Sequence, residues 1–227
     1  MRDSAHFGLI GGLGVGAAML YYSRIAEACA AHGYVPRITM AHAHAPNALA
    51  LVTAGKIDEL ADYLSGFATT LEKAGAAFIA IPAVTPHICE EKLKQRLKVP
   101  LLSMLETTAR GLQARRLRRI SLFGTRFTIE QRFFGALEEF DIVNPHATEI
   151  DEIHRVYLEL AQKGKTSAAN VDAVKSIARE ICRRDGVEAV LIAGTDFNLV
   201  FDEETAGFPA FDCAAAHIDA IVGRMTA

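Results

Sequence analysis

The run Val190-Leu191-Ile192-Ala193 leads directly into Gly194-Thr195-Asp196. Four consecutive apolar residues ended by glycine read as a strand buried on both faces that delivers its last residues to a turn. The same pattern recurs along the chain. Phe7-Gly8-Leu9-Ile10 stops at Gly11-Gly12, residues 77–81 stop at Pro82 before Val84-Thr85, and residues 119–123 stop at Gly124-Thr125. Helical periodicity fills the spaces between these strands. Residues 17–31 carry Met19, Leu20 and Ile25, and residues 57–74 place Leu60, Leu64, Phe67 and Leu71 on one face. Further helices are expected at 88–97, 133–140 and 167–184, and further strands at 37–41, 100–102 and 210–212. Continuous apolar strands alternating with amphipathic helices predict parallel α/β sheets covered by helices on both faces.

The spacing of the turns suggests that the plan occurs twice. Gly11 precedes Thr85 by 74 positions, and Gly124 precedes Thr195 by 71. Two pseudo-symmetric α/β lobes account for both intervals. The expected division is 1–104 plus 210–227 for the first lobe and 105–209 for the second, with the strand 210–212 returning to the first. Ligands of such sheets lie beyond the carboxyl ends of the strands. The four turns are therefore expected to meet at one small-molecule cleft between the lobes.

Composition narrows the partners. The chain has 227 residues, 51% of them hydrophobic and 22% charged, with a net charge of -3, as in an ordinary globular protein. This balance offers no basic footprint for nucleic acid or for an anionic membrane surface. No apolar run reaches the length of a membrane span. The four cysteines, Cys29, Cys89, Cys182 and Cys213, form no CxxC pair, which fits reduced thiols in a cytoplasmic protein.

Two motifs have plainer explanations than the ones they first suggest. Gly12-Leu13-Gly14-Val15-Gly16-Ala17 fits a dinucleotide fingerprint, but no acidic residue lies between Glu27 and Asp58 to hold a ribose. A tight strand-to-helix turn whose amides at Gly12 face a small carboxylate is preferred. His42 and His44 alternate at a strand end as metal ligands do, yet polar residues at a cleft rim explain them better, and no metal is expected. The loops at Ala83-Val84-Thr85-Pro86-His87 and Gly194-Thr195-Asp196 each offer a threonine hydroxyl and main-chain amides. Such groups bind a small carboxylate, and they equally cap the helices that follow.

Taken in order, Gly8-Leu9-Ile10-Gly11-Gly12, Thr85 with His87, Val99-Pro100-Leu101-Leu102, residues 122–131, Glu152-Ile153-His154, Gly164, Gly194-Thr195-Asp196 and Phe211-Asp212 with His217 resemble the aspartate/glutamate racemase family. The likeness covers nearly the whole chain. It implies an amino-acid isomerase of two similar lobes, independent of pyridoxal phosphate or any other cofactor, commonly a homodimer, acting on a small amino acid or carboxylate. The family pattern places a cysteine on each side of the substrate, one thiolate removing the α-proton and the opposite thiol returning one. At those positions this sequence has Ala83 and Gly194, so two-thiol racemisation is expected to be absent or severely impaired. The candidate substrate-binding residues are Gly12, Thr85, Thr125 and Thr195, with Val84 where the family has a carboxylate-binding asparagine and Lys163 loosely where it places a lysine near the distal end of the substrate. Asp196 and His87 are the candidate bases, with Cys213 as a thiol supplied from elsewhere. The alternatives are a non-catalytic small-carboxylate-binding protein or a one-base decarboxylase or lyase on the same scaffold.

Overall fold

The computed structural model describes residues 2–227. The chain divides into two compact units, Met1–Met104 with His217–Ala227, and Leu105–Ala216.

In the first unit the order is β1 (Arg2–Asp3), β2 (Phe7–Gly11), α1 (Val15–Ala31), β3 (Tyr34–Val35), β4 (Ile38–His42), α2 (Ala45–Thr53), α3 (Ile57–Lys73), β5 (Phe78–Ala80) and α4 (Glu90–Lys94). Strand β2 lies between β4 and β5 and is parallel to both. Parallel neighbours cannot be joined by hairpins, so the chain crosses over through α1 and through α2 and α3. Every residue of β2 and β5 is buried, which is why both strands read as unbroken apolar runs. Edge strand β4 buries only Ala41. On α3 the expected face is present. Leu60, Leu64 and Leu71 are fully buried, and Phe67 is half-buried with its ring edge-on to Tyr63 at 5.1 Å. At about 1.5–3 kcal/mol for each large side chain buried, those leucines anchor the helix on the sheet. The strand expected at 100–102 reduces to one parallel bridge, Ile79 with Leu101.

The second unit contains α5 (Met104–Ala114), β6 (Arg119–Phe123), α6 (Arg126–Glu130), β7 (Asp141–Ile142), α7 (Ala147–Lys163), α8 (Ala168–Asp185), β8 (Ala189–Ile192), β9 (Ala210–Asp212) and the first turn of α9 (Cys213–Met225), whose residues from His217 onward belong to the first unit. Its four strands are all parallel, in the order β7-β6-β8-β9. Helix α7 begins with the Glu149 carboxylate accepting from the His146 N–H at 2.7 Å, and ends at Gly164 with φ 66°. It turns Ile150, Ile153, Val156 and Leu160 inward. Helix α8 is capped by the Ser167 hydroxyl, which accepts from the Asn170 N–H at 3.2 Å.

Two expectations are corrected here. Residues 210–212 do not return to the first unit. They pair with β8, with Leu191 opposite Phe211. Phe211 is buried, lies tight against Gly111 of α5 and sits under the Arg115 guanidinium at 4.7 Å. That packing keeps the strand in the second unit, and only the later part of α9 belongs to the first. Nor is there a helix at 133–140. Arg132, Phe133 and Phe134 all have positive φ, between 46° and 59°, followed by Gly135 at 80°. This left-handed turn costs about 1–2 kcal/mol per residue. It drives Phe133 to complete burial and sets Phe134 against Phe127 at 5.6 Å, contacts a continued right-handed helix would redirect.

Candidate functional site

In the first unit, the residues singled out from sequence lie where β2 and β5 end. Gly12 has φ 82°, and a Cβ there would sit 2.9 Å from Ala43 N and closer still to Ala43 O. The glycine is thus required by the close approach of the β2 turn to the end of β4. Beyond β5, Ala83 and Val84 are buried, and half-buried Thr85 opens a short 3-10 turn, Thr85–Cys89.

That turn carries His87, whose ring is buried. The Met104 N–H donates to Nε2 at 3.3 Å, so Nε2 is an acceptor and Nδ1 carries the proton, donating to Ala83 O at 2.8 Å. Burial holds its pKa below the usual histidine value. Both ring nitrogens are therefore bonded to main chain, and the ring links the 83–87 turn to the start of α5. A second buried ring, His217, lies edge-on at 6.4 Å. Its Nε2–H donates to Leu102 O at 3.0 Å and its Nδ1 accepts from the Tyr21 hydroxyl at 3.1 Å. Burial, reinforced by the neighbouring His87, pushes its pKa down to about 3. Beside them the buried Glu90 accepts from Ser103 at 2.8 Å and pairs with Lys94 at 2.6 Å.

In the second unit, neighbouring parallel strands β6 and β8 deliver Thr125 and Thr195 to the same edge. Thr125 caps α6, accepting from the Thr128 N–H at 3.0 Å, with its hydroxyl 2.9 Å from that of Thr128. The plainer, capping role is thus fulfilled at this position. Half-buried His154 on α7 accepts the Arg126 N–H at Nδ1, 3.2 Å away. Burial, followed by the Arg126 charge, lowers its pKa.

Thr195 and Asp196 are 1% and 2% exposed. Facing them is Tyr157 of α7, which the sequence reading passed over. Its hydroxyl donates to Asp196 Oδ2 at 3.1 Å, and the Thr195 side chain is hydrogen-bonded to it as well. Its ring lies 5.2 Å from that of Phe197. A Cβ built on Gly194 would fall 2.8 Å from Tyr157 Cδ2, and nearer still to Cε2. The tyrosine ring therefore fills the volume that any side chain at 194 would enter. Burial first, and then the Asp196 carboxylate, push the Tyr157 pKa well above its usual value, so the phenol stays protonated and acts as a donor. The available sequence signal was modest: Tyr157 flanks the inward stripe of α7, three residues after His154 and one after Val156.

Cys213, at the start of α9, is buried and close enough to Tyr157 to act on its charge. Burial and the adjacent Asp212 hold its thiol well above the usual range. Cys89 is pushed up to about 12, and burial also raises Cys29 and Cys182. None of these thiols is activated toward thiolate. Asp212 itself accepts from the Ala214 N–H at 2.8 Å and from the Asn198 side-chain amide. Lys163 is exposed in the last turn of α7 and pairs with Glu159 at 3.2 Å, so its ammonium is held on the helix surface. His42 and His44 are exposed, and the His44 N–H donates to the Tyr63 hydroxyl at 2.8 Å. Among the described residues no group of three His, Cys, Asp or Glu side chains could hold a metal ion, and no helix is long and apolar enough to cross a membrane.

Comparison with known proteins gives a consistent picture. The family model described as Asp/Glu/Hydantoin racemase matches residues 10–221. The broad specificity amino-acid racemase RacX of Bacillus subtilis (strain 168) is 26% identical over 166 residues, covering 70% of this chain and 69% of that protein. An aspartate racemase homologue from Pyrococcus horikoshii OT3 superposes with a TM-score of 0.82 at 22% identity, over 98% of this chain and all of that one. The Picrophilus torridus aspartate racemase gives a TM-score of 0.76 at 19% identity, over 98% of this chain and 95% of that one.

Proposed function

This chain belongs to the Asp/Glu/Hydantoin racemase family, and we propose that it acts on a small amino acid or carboxylic acid without metal or organic cofactor, using Asp196 as a single base in place of two thiols. The observation that carries this reading is the Tyr157 ring in the volume of a side chain at 194. With Gly194 closed off and Ala83 at the other expected thiol position, proton transfer falls to another group. His87 has both ring nitrogens bonded to main chain, and the four thiols all have raised pKa values. Asp196 remains, in the residue that follows Thr195 beyond β8.

In the proposed step the Asp196 carboxylate accepts a proton from the carbon next to the substrate carboxylate, and the C–H bonding pair moves into an enolate-like system. Main-chain amides of the loops that follow β6 and β8 stabilise that charge. One base serves one face of the carbon. It supports hydrogen exchange, decarboxylation or elimination more readily than two-faced racemisation. Val84, where the family places a polar residue, favours a ligand less polar than aspartate.

A second reading, a binder of small carboxylates without catalysis, is favoured by the very low exposure of Asp196. Proton NMR in heavy water over a panel of small amino acids and dicarboxylic acids separates the two. Loss of an α-proton signal that disappears in Asp196→Asn supports the enzyme. Ligand-induced stabilisation without exchange supports the binder, and racemisation of aspartate or glutamate at ordinary enzyme rates refutes the single-base reading.

We also propose a cytoplasmic homodimer. Val15, Met19 and Tyr22 form an exposed apolar stripe at helical spacing on α1, a face that a second copy would cover. Sedimentation of the wild type and of Met19→Glu tests this.

A further inference from the structure

We propose that Tyr157 is the positioning residue for Asp196, holding its carboxylate in one orientation and in the ionised state. The inference rests on Asp196 being the base, and it carries that reading to a residue on another element.

Three features of the geometry support it. The phenol donates to Asp196 Oδ2 at 3.1 Å, and a hydrogen bond given to a carboxylate favours its charged form. The phenol is itself fixed. Thr195 bonds to its oxygen, and since the phenol proton is already directed at Asp196, the threonine hydroxyl is the donor in that bond. The ring is held between Phe197, 5.2 Å away, and the backbone at Gly194. Glycine at 194 is what makes this possible, because a Cβ there would occupy the ring's place. The empty side chain at 194 and the tyrosine at 157 are thus two halves of one arrangement. The other ionisable group that acts on the ring is Cys213 at the start of α9, with the Asp212 carboxyl acting on it in turn, and His154 lies three residues earlier on the same helix.

The test is a carboxyl-carbon NMR titration of Asp196, with its resonance assigned by its loss in Asp196→Asn. Tyr157→Phe keeps the ring and removes the donor. A hydrogen bond to a charged group contributes enough that the Asp196 midpoint should rise by about one pH unit. If a substrate is found in the exchange panel, the acid limb of its rate profile should move by the same amount, with KM little changed. Thr195→Val, which frees the phenol without removing it, should move the midpoint in the same direction by less, and Thr195→Ser should restore the wild-type value. This series stands in for Tyr157→Phe should that variant fail to fold. An Asp196 midpoint that stays put in Tyr157→Phe, or in Thr195→Val where that variant must serve, overturns the proposal. Exchange that persists in Asp196→Asn overturns instead the reading of Asp196 as base, and the carboxyl titration distinguishes the two failures because it needs no catalysis.

Discussion

Replacing His217 by glutamine should flatten the acid side of the stability profile. The wild-type ring is wholly buried, donates from Nε2 to Leu102 O at 3.0 Å and accepts from the Tyr21 hydroxyl at Nδ1 at 3.1 Å. Protonation would turn that Nδ1 acceptor into a donor and place a charge in a low-dielectric interior beside His87. Burial accordingly pushes the folded-state pKa down to about 3, against about 6.5 in an unfolded chain. The folded pKa is depressed, so below pH 6.5 the unfolded chain binds a proton that the folded chain refuses. Stability is fully present above pH 6.5 and is lost as pH falls toward 3. The slope is about 1.4 kcal/mol per pH unit, so between pH 7 and pH 5 the site alone removes about 2 kcal/mol. His87, with its pKa lowered for the same reason, adds to the loss in the same direction. Glutamine can donate to Leu102 O and accept from Tyr21 without titrating. The variant should be somewhat less stable at pH 8, by about 1 kcal/mol for imperfect geometry, yet lose about 2 kcal/mol less than wild type on going to pH 5. Urea denaturation at pH 8, 7, 6 and 5 measures both slopes. Parallel profiles for wild type and His217→Gln would refute the assignment of this acid sensitivity to the buried ring.

Three further outcomes are expected. Gly194→Cys should destabilise the protein by about 1–3 kcal/mol through overpacking against the Tyr157 ring, and Tyr157→Ala should offset much of that loss. A double-mutant cycle by urea denaturation detects this as a coupling, and additive effects would refute the steric account. Lys163→Ala should change both stability and any exchange activity little, because its ammonium pairs with Glu159 on an exposed helix face; a large rise in KM would return this lysine to the binding site. The thiols should react slowly with a disulfide reagent in the native protein at pH 7.5, since burial raises all four pKa values. A single fast-reacting thiol that maps to Cys213 would revive the thiol route.

Strand and helix type were legible wherever local pattern and tertiary burial agree. β2, β5, β6 and β8 are buried in parallel sheets, so their apolar runs could hardly read as anything else. The interruption at Arg132-Phe133-Phe134 was illegible, because nothing local announces three consecutive left-handed residues. The burial of Phe133 selects that path. Residues 210–212 read as a strand from sequence, but their sheet is not legible there, since the ring of Phe211 finds its partners, Gly111 and Arg115, about a hundred residues away.

The chemistry divides along the same line. Residue identity and spacing alone carry the α/β class, the family likeness, and the presence of Ala83 and Gly194 where that likeness expects thiols. They leave His87 suspended between a base and a packing residue, and they leave Tyr157 unmarked. Their partners exist only in the tertiary structure. His87 is committed by an acceptor four residues before it and a donor at Met104, and Tyr157 is brought across 39 positions to meet Asp196. A hydrogen-bond partner or a filled volume is a property of side chains far apart in sequence. It exists only once helix α7 has packed its inner face beside the end of β8.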